Sequence, residues 1–205
     1  ILEKEGIKVL ISSEDAVYKS ENKAELYKTL ENTSVKIPNF RVVNSLDEFL
    51  DAVKSLGYPG TPVCFKPPIS KGTRGFRILR DDVSRKHILL NERPINRFIS
   101  INEFKEIFEG DSDFPELLVM EFVEGEEHTT DPLTLNGKTL LCPVKTRENE
   151  RAGLAMKFVQ TANEKLVKST EYIVEKMNLD WVVNLQFIGD YLIELNPRIS
   201  TQMFT

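Results

Sequence analysis

Two apolar runs near the C-terminus are interrupted by oxygen-bearing side chains at alternating positions. The run WVVNLQFI carries Asn184 and Gln186, and the run YLIELNPRIS carries Glu194 and Asn196. Residues i and i+2 of a β-strand point to the same face of a sheet, so each run predicts a strand with one polar and one apolar face. If these two strands pair, their polar side chains can line a single patch. This pattern constrains the fold to one that contains a sheet with a polar face.

The connection between the two strands decides whether these side chains meet. A regular two-residue turn at Gly189-Asp190 would leave Gln186 and Glu194 on opposite faces. A three-residue loop or a β-bulge would instead set Gln186 opposite Glu194, and the two asparagines opposite each other. We expect the second arrangement, with a loop longer than two residues, because a buried amide without a hydrogen-bonding partner is costly.

The polar patch has the chemistry of a site for a hard cation. One carboxylate with neutral amide oxygens suits Mg²⁺, which keeps some waters and is completed by phosphate oxygens. Arg198 follows the second strand directly and could offer a charged fork to an anion beside the cation. The alternative is a strand end whose polar side chains are merely solvated.

A basic stretch, VCFKPPISKGTRGFRILR at Val63–Arg80, stands out in an acidic chain. It predicts a strand that ends on Lys66, two prolines, a loop and a second strand. A glycine-containing loop with free N–H groups and flanking cations suits a phosphate group, although it lacks the P-loop pattern G-x-x-x-x-G-K-[ST]. The alternative is an exposed basic hairpin tip. The loop residues are Lys71, Gly72, Thr73, Arg74 and Gly75.

A third stretch, LLVMEFVEGEEHTTDPLTLNGK at Leu117–Lys138, predicts an apolar strand that turns a corner near Gly125. Backbone groups at such a corner can contact a purine edge, and a nearby carboxylate can accept hydrogen bonds from ribose hydroxyls. Taken alone, the stretch is more typical of a plain strand–turn–strand with acidic residues at its corner.

The remaining patterns predict an α+β fold that is rich in antiparallel sheet. Short β-branched and aromatic runs, KVLIS at residues 8–12 among them, outnumber the helices, and Asn136-Gly137 predicts a tight hairpin. A weaker helix is expected at about residues 23–31. Three further helices are predicted by capping boxes, which pair a Ser or Thr with a Glu three residues later. These pairs are Ser45 with Glu48, Ser100 with Glu103, and Thr161 with Glu164.

Composition excludes several classes of function. A net charge of −5 argues against a general nucleic-acid binder. No apolar run approaches the roughly 20 residues that cross a membrane, and no signal peptide is visible, so we expect a cytoplasmic protein. Cys64 and Cys142 lie in apolar stretches and are expected in the core, while two histidines make a zinc site improbable. The chain begins at Ile1 without methionine, so we expect a preceding segment to be missing.

Together and in this order, the segments NKAELYKTL, FKPPISKGTRG, VMEFVEGEE and NLQF…LIELNPRIS resemble the ATP-grasp family. They are most like the ATP-grasp domain of the carbamoyl phosphate synthase large subunit, over about residues 22–200. The resemblance implies two α+β lobes with antiparallel-rich sheets that clamp ATP. It divides the chain into a remnant of a preceding domain or linker at 1–21, a first subdomain at 22–116 with the phosphate-covering hairpin 63–80, and a second subdomain at 117–205.

The resemblance also implies residue roles. It places Lys66 and Lys23 at the ATP phosphates, and it makes the loop residues 71–75 a mobile flap over them. It assigns the adenine hinge to Glu121, Phe122 and Val123, ribose to Glu127, magnesium to Gln186, Glu194 and Asn196, and the acyl phosphate or its acid precursor to Arg198. It leaves open the roles of Arg147 and Arg151.

The implied activity is that of an ATP-dependent ligase. With ATP and Mg²⁺ (Mn²⁺ as a substitute), such an enzyme turns a carboxylate or bicarbonate into an acyl phosphate, which an amine then attacks. The expected partners are a small-molecule acid and an amine acceptor, with no nucleic acid and no membrane. A missing N-terminal domain, a partner subunit and a homo-oligomer all stay open. The alternative is a non-catalytic Mg-ATP-binding module that serves regulation or docking in a larger assembly.

Overall fold

The computed structural model of the chain describes residues 2–70, 74–83, 86, 90, 97–151 and 154–200. The chain forms two compact units. The central unit is Pro38–Val123, and the terminal unit combines the residues up to Ile37 with those from Glu124 onward. The helix that begins at Lys23 therefore belongs with the C-terminal strands, whereas the sequence-based division at residue 116 assigned it to the other lobe.

The described helices and strands follow one another in mixed order. The helices are a 3₁₀ turn at Leu2–Glu5 and α1 Glu14–Glu21, α2 Lys23–Leu30, α3 Leu46–Ser55, α4 Ile101–Phe108 and α5 Glu164–Lys176. The strands are β1 Phe40–Val43, β2 Val63–Lys66, β3 Arg77–Leu79, β4 Phe98–Ile99, β5 Leu117–Glu121, β6 Glu127–Thr130, β7 Leu133–Leu135, β8 Lys138–Leu141, β9 Val144–Arg151, β10 Leu154–Thr161, β11 Trp181–Val182, β12 Asn184–Ile188 and β13 Tyr191–Asn196. None of the described helices is both long and apolar enough to span a membrane.

The helix starts follow local capping chemistry. The hydroxyls of Ser45 and Ser100 each accept a hydrogen bond at 3.2 Å from the N–H three residues on, as the capping boxes predict. The third predicted cap is wrong, because Thr161 is the last residue of β10 and is held extended. Asn163 caps α5 instead, with its Oδ1 accepting from the N–H of Leu166 at 3.2 Å.

The sheet of the central unit has the strand order β1-β5-β2-β3-β4. Its pairs are antiparallel except β3 with β4, which run parallel. Helices α3 and α4 contribute Phe49 and Phe104, whose rings stack with centroids 3.8 Å apart. Phe65 of β2 meets both rings edge-on, at 5.2 and 4.9 Å. This aromatic cluster fixes β2 and β5, the strands that end on Lys66 and Glu121.

The larger sheet of the terminal unit has the strand order β10-β9-β6-β12-β13, and its described pairs are all antiparallel. One face is apolar, and helix α5 contacts it where the hydroxyls of Thr130 and Thr170 share a hydrogen bond of 3.0 Å. A smaller sheet, β11-β7-β8, contains the predicted hairpin, in which Asn136 and Gly137 have φ values of 51° and 68°. The α+β class with antiparallel-rich sheets is thereby confirmed.

Two predictions about strands fail for reasons that lie in tertiary structure. Residues 8–12 form no strand. Side-chain hydrogen bonds anchor the end of this segment instead, since the Ser12 hydroxyl donates to the Asp180 carbonyl at 3.0 Å and accepts from its N–H at 2.9 Å. Conversely, the charged run KTRENER at residues 145–151 was not predicted as a strand, yet together with Val144 it forms β9. Pairing with β6 and β10 outweighs its weak intrinsic preference for strand.

Candidate active site

The hairpin of β12 and β13 has the register that brings the predicted metal ligands together. Gln186 lies opposite Glu194, and Asn184 lies opposite Asn196. The expected longer loop is wrong, because Ile188 pairs with Tyr191 across a two-residue turn. The register shifts instead further along, between positions 186 and 187 of β12.

The shift is a β-bulge at Ile193, the residue of β13 that has no partner in the register. It turns Leu192 to the apolar face, opposite Phe187, while Glu194 stays on the polar face. The hydroxyl of Tyr27 on α2 donates to the carbonyl of Ile193 at 3.0 Å and so holds the bulge in place. A regular hairpin would have put Leu192 and Glu194 on the same face.

The polar face continues across β6 and β9. Thr129 pairs with Gln186 and with Lys145, and the same alternation adds Glu127 and Arg147. We call this surface the polar face: Glu127, Thr129, Lys145, Arg147, Asn184, Gln186, Glu194 and Asn196. Sequence reasoning missed the contributions of Thr129 and Lys145. The alternation of polar residues at 127 and 129, and of cations at 145 and 147, was the signal that could have found them.

The guanidinium of Arg147 contacts two residues that have different predicted roles. Nη1 of Arg147 lies 3.1 Å from Oε1 of Gln186, a predicted metal ligand. The same nitrogen lies 3.1 Å from Oε2 of Glu127, the predicted ribose acid. The side chain of Arg147 is only 10% exposed. Its charge therefore acts with little screening by water.

Lys23 reaches the polar face from the first residue of α2. Its Nζ lies 3.1 Å from Oε1 of Glu194, and its side chain is 6% exposed against 31% for the glutamate. The Oδ1 of Asn22 caps this helix by accepting from the N–H groups of Ala24 and Glu25 at 3.0 and 3.2 Å. The cap fixes where α2 begins, and hence where Lys23 lies.

Arg198 is exposed at the end of β13, on a segment that is fastened beyond it. The Ser200 hydroxyl donates to Oδ1 of the buried Asp131 at 2.8 Å. The N–H of Arg198 donates to the Asn196 carbonyl at 2.8 Å, which makes a tight turn. The exposed guanidinium donates from Nη1 to the Ile199 carbonyl at 3.2 Å, on a backbone that is held at both ends.

In the central unit, Lys66 ends β2 and is 7% exposed. Four residues, Pro67 to Ser70, separate Lys66 from the predicted flap. Of the flap residues, Lys71, Gly72 and Thr73 lie outside the described residues, while Arg74 and Gly75 are exposed. Gly75 has φ +73°, and a Cβ there would come within 2.6 Å of Cδ of Pro67. Only glycine fits this position, so the base of the loop has a fixed path.

The predicted adenine hinge is already tied into the central unit. The Glu121 carboxylate accepts from the N–H and Nδ2 of Asn39 at 3.1 and 2.7 Å, and its N–H donates to the Asn39 carbonyl at 2.9 Å. The Phe122 N–H donates to the Pro62 carbonyl at 2.8 Å. Two of the three hinge N–H groups are therefore engaged within the protein.

One of the two cysteines contacts the predicted hinge, because the Cys64 thiol donates to the Glu121 carbonyl at 3.8 Å. Cys64 is buried, and burial raises the pKa of its thiol to about 12. Cys142 is half-buried, and burial raises the pKa of its thiol to about 11. The second thiol lines a cavity of about 370 Å³ near the start of α5, together with Gln160 and Lys168. That cavity contains no residue of the polar face.

The donor set of the polar face fits magnesium better than a softer metal. No group of three His, Cys, Asp or Glu side chains converges anywhere in the described ranges. Gln186, Glu194 and Asn196 instead offer one carboxylate and two amide oxygens from directly paired strands. Opposite side chains in such a pair have Cβ atoms about 4.5–5.5 Å apart, which is within the reach of one cation. Hard oxygen donors of this kind suit Mg²⁺.

Comparison with protein families and sequences identifies relatives. Residues 113–204 match the family described as ATP-grasp in the biosynthetic pathway with Ter operon. In an alignment 213 residues long that covers 97% of this chain, it is 22% identical to the carbamoyl phosphate synthase large chain of Clostridium acetobutylicum. The corresponding protein of Clostridium perfringens (strain SM101 / Type A) is 25% identical over the same length. The chain spans 18% of the length of each of these two relatives.

Comparison with solved structures shows the shared fold. A biotin carboxylase–β,γ-ATP complex from Campylobacter jejuni superposes with a TM-score of 0.72 at 16% identity, covering 98% of this chain and 45% of that one. D-alanine–D-alanine ligase from Bacillus anthracis complexed with ATP gives a TM-score of 0.61 at 16% identity, covering 96% and 61%.

Proposed function

Because the chain carries an ATP-grasp domain, we propose that it is the catalytic core of an Mg-ATP-dependent ligase of carboxylates and amines. The γ-phosphoryl group passes to a carboxylate or bicarbonate oxygen, which yields ADP and an acyl phosphate. An amine nitrogen then bonds to the activated carbon, loses a proton, and displaces inorganic phosphate. The similarity to carbamoyl phosphate synthase favours bicarbonate or a small carboxylic acid as the first substrate.

The observation that carries this proposal is the bulge at Ile193. It sets Gln186 opposite Glu194 and holds Asn184 opposite Asn196, although the turn itself would favour the other register. Bulges re-aim side chains next to active sites and are designed features of a sheet. A hairpin selected only for packing would have no reason to gather these four side chains.

Gln186, Glu194 and Asn196 would hold Mg²⁺. When bound, the metal would neutralise negative charge on the ATP phosphates. The Nζ of Lys23 neutralises Glu194 by itself, so the carboxylate is charge-compensated before any ligand arrives. Glu194 has two oxygens, and the lysine contact at Oε1 leaves Oε2 for another cation.

Cations supply the remaining stabilisation that phosphoryl transfer requires. The charge on the transferred group spreads over its equatorial oxygens, and fixed positive groups stabilise it without covalent help. In the terminal unit these groups are Lys23 and Arg147, with Arg198 available to the acyl phosphate or its acid precursor. In the central unit we assign Lys66 and Arg74 to the phosphates. A side-chain nucleophile is not needed for this chemistry.

Nucleotide recognition falls to the hinge and to Glu127. In extended backbone the carbonyl of residue i and the N–H of residue i+2 point to the same side, and adenine presents a neighbouring donor and acceptor on its edge. Since the N–H groups of Glu121 and Phe122 are engaged, we assign the contact to the Val123 N–H and to the second lone pair of the Glu121 carbonyl, which also accepts from the Cys64 thiol. Glu127 would accept from the ribose hydroxyls, with Arg147 holding it in place.

The proposal is tested by ATP binding in calorimetry, with and without Mg²⁺, followed by a screen of acids and amines for ADP release. Glu194→Gln should lose the Mg-dependent part of binding and at least about 100-fold in turnover, because one interaction of a metal ligand contributes that much to the transition state. Glu148→Gln is the matched control: this acid lies in the same sheet and pairs with Lys157 at 2.6 Å, outside the polar face.

Stability must be measured alongside. The ion pair with Lys23 means that Glu194→Gln should also lower the free energy of unfolding, by about 1–2 kcal/mol. Mg-dependent ATP binding without ADP formation for any acid would identify a non-catalytic module instead. Absence of binding by the folded wild type would contradict both functions.

A further inference from the structure

We infer that Asp131 is a positioning residue, which fixes the amide orientation of Gln186 and Asn196 through Asn184 and so aims their carbonyl oxygens at the metal. This inference rests on the proposed function, since it concerns the same Mg²⁺ ligands. Asp131 itself would touch neither the metal nor the nucleotide.

The carboxylate of Asp131 is a buried anchor just beyond β6, with 2% of the residue exposed. Its Oδ1 accepts from Nδ2 of Asn184 at 2.8 Å and from the hydroxyl of Ser200 at 2.8 Å. Nζ of the buried Lys145 lies 3.9 Å from Oδ2. Because Oδ1 accepts from both of its donors, it admits one orientation of the Asn184 amide, with the NH₂ group toward Asp131.

That orientation is reinforced on a second side. Nδ2 of Asn184 also donates to the hydroxyl oxygen of Thr129 at 2.6 Å. The Thr129 hydroxyl donates onward to the carbonyl of Leu185 at 3.1 Å, so its oxygen is left to accept. Both hydrogens of the Asn184 amide are thereby used, and its Oδ1 must face the rest of the polar face.

The remaining acceptor of Asn184 then sets the two metal-binding amides. Oδ1 of Asn184 accepts from Nε2 of Gln186 at 3.4 Å and from Nδ2 of Asn196 at 3.5 Å. Nη1 of Arg147 donates to Oε1 of Gln186 at 3.1 Å and holds that amide the same way round, so the Asn196 amide is the one that depends most on Asn184. With each NH₂ turned toward Asn184, each carbonyl oxygen is turned away from it. A cation needs those oxygens, because an NH₂ would present hydrogens to it.

The carboxylate is a poor stabilising element, which leaves positioning as its explanation. Within the described part of the chain, Oδ2 of Asp131 makes no hydrogen bond, although the atom is buried. A partly satisfied buried carboxylate costs stability, and an apolar side chain of similar size would pack there at lower cost. Partners that orient metal ligands typically contribute about 10–100-fold to metal affinity or activity.

The test measures how much Mg²⁺ increases the affinity for ATP, from binding in EDTA and binding in Mg²⁺. Asp131→Asn can turn its own amide either way, and so it no longer dictates the orientation of Asn184. We expect the increase to fall by about 10–100-fold, while the affinity for ATP in EDTA stays near the wild-type value. The unfolding temperature should fall, because the variant removes the carboxylate that lies 3.9 Å from the buried Lys145. An unchanged increase would overturn the inference. Absence of any increase in the wild type would overturn the proposed metal site, and the inference with it.

A swap of the two residues provides a rescue. In Asp131→Asn/Asn184→Asp, the carboxylate introduced at 184 accepts from Gln186, from Asn196 and from the new amide at 131. The Mg²⁺ effect should recover to within about threefold of wild type, because a carboxylate at 184 presents only acceptors to Gln186 and Asn196, and the Thr129 hydroxyl can turn to donate to it. A swap as weak as the single variant would overturn the inference. If the single variant does not fold, the swap carries the test with the same two outcomes.

Ser200→Ala is the matched control. It removes the other hydrogen bond to the same oxygen of Asp131 and leaves the Asn184 contact. It should keep the wild-type Mg²⁺ effect. A loss equal to that of Asp131→Asn would show that Asp131 acts through the segment around Arg198, which would overturn the inference.

Discussion

The two five-stranded sheets of this chain bury their residues by different means. In the central unit, the side chains of β2 and β5 are buried on both faces, and the cluster of Phe49, Phe65 and Phe104 fills the space beside them. In the terminal unit, one face of the sheet is apolar, while the other carries Lys145, Arg147, Asn184 and their partners.

The difference separates the residues that hold the fold from those that serve a ligand. Apolar rings gain stability from burial without requiring a particular partner. Charged and amide groups must each find a partner, and even well-paired buried ions contribute little more than an apolar replacement would. A sheet that keeps a polar face despite this is best explained by what the face binds.

The largest effect is expected from removing an aromatic ring in the central unit. Phe104→Ala takes out a fully buried ring that stacks on Phe49 and meets Phe65, so it should lower the free energy of unfolding by about 3–5 kcal/mol in urea titrations. Ile107→Ala on the same helix is the control, since Ile107 is 56% exposed and should cost less than about 0.5 kcal/mol. Equal losses would mean that the ring cluster does not carry the stability of this unit.

The next effect tests whether the central unit also contributes to ATP binding. Lys66→Ala should weaken ATP binding by about 10–100-fold, the equivalent of one charge-assisted hydrogen bond to phosphate. The difference between wild type and variant should shrink as salt rises, because screening weakens the lost attraction. Lys54→Ala, at an exposed position of α3, is the control. Unchanged affinity in Lys66→Ala would place the phosphate contact elsewhere.

A smaller effect probes the base of the basic loop. Gly75→Ala should cost about 1–3 kcal/mol, because its φ of +73° and the contact with Pro67 both oppose a Cβ. Gly110→Ala has nearly the same φ, +80°, with open space around it. Both variants place a Cβ on a backbone with positive φ, so the difference between their unfolding free energies measures the cost of the contact with Pro67. Identical costs would show that the loop moves away from Pro67.

The smallest effect concerns the turn between β12 and β13. The hydrogen bond from Lys165, aided by Lys36, holds the pKa of Asp190 below its ordinary value of 3.8. A lowered pKa contributes stability above the ordinary value, and that contribution disappears as the pH falls through the folded value. Asp190→Asn should therefore cost less than about 1 kcal/mol at pH 7, and nothing once the wild-type carboxylate is protonated. Urea titrations of wild type and variant at pH 7, and again at a pH low enough to protonate Asp190, measure this difference in the free energy of unfolding. A difference that persists in acid would contradict the ion pairs.

The sequence alone determined the features that depend on near neighbours. Ser45 and Ser100 cap their helices because a hydroxyl reaches an N–H three residues away. Asn136-Gly137 turns because both residues accept positive φ. The alternation of polar and apolar residues in β12 and β13 indicated a polar face, and the motifs together indicated the fold family.

Only the tertiary structure decided which residues meet across strands. The bulge at Ile193 set the register of β12 and β13, although the two-residue turn between these strands would by itself predict the other register. The pairing of Thr129 with both Gln186 and Lys145, and the contact of Asp131 with Asn184, join positions about 16 to 57 residues apart. Such contacts have no local signature, because strand register depends on the packing of the whole sheet and not on the residues next in the chain.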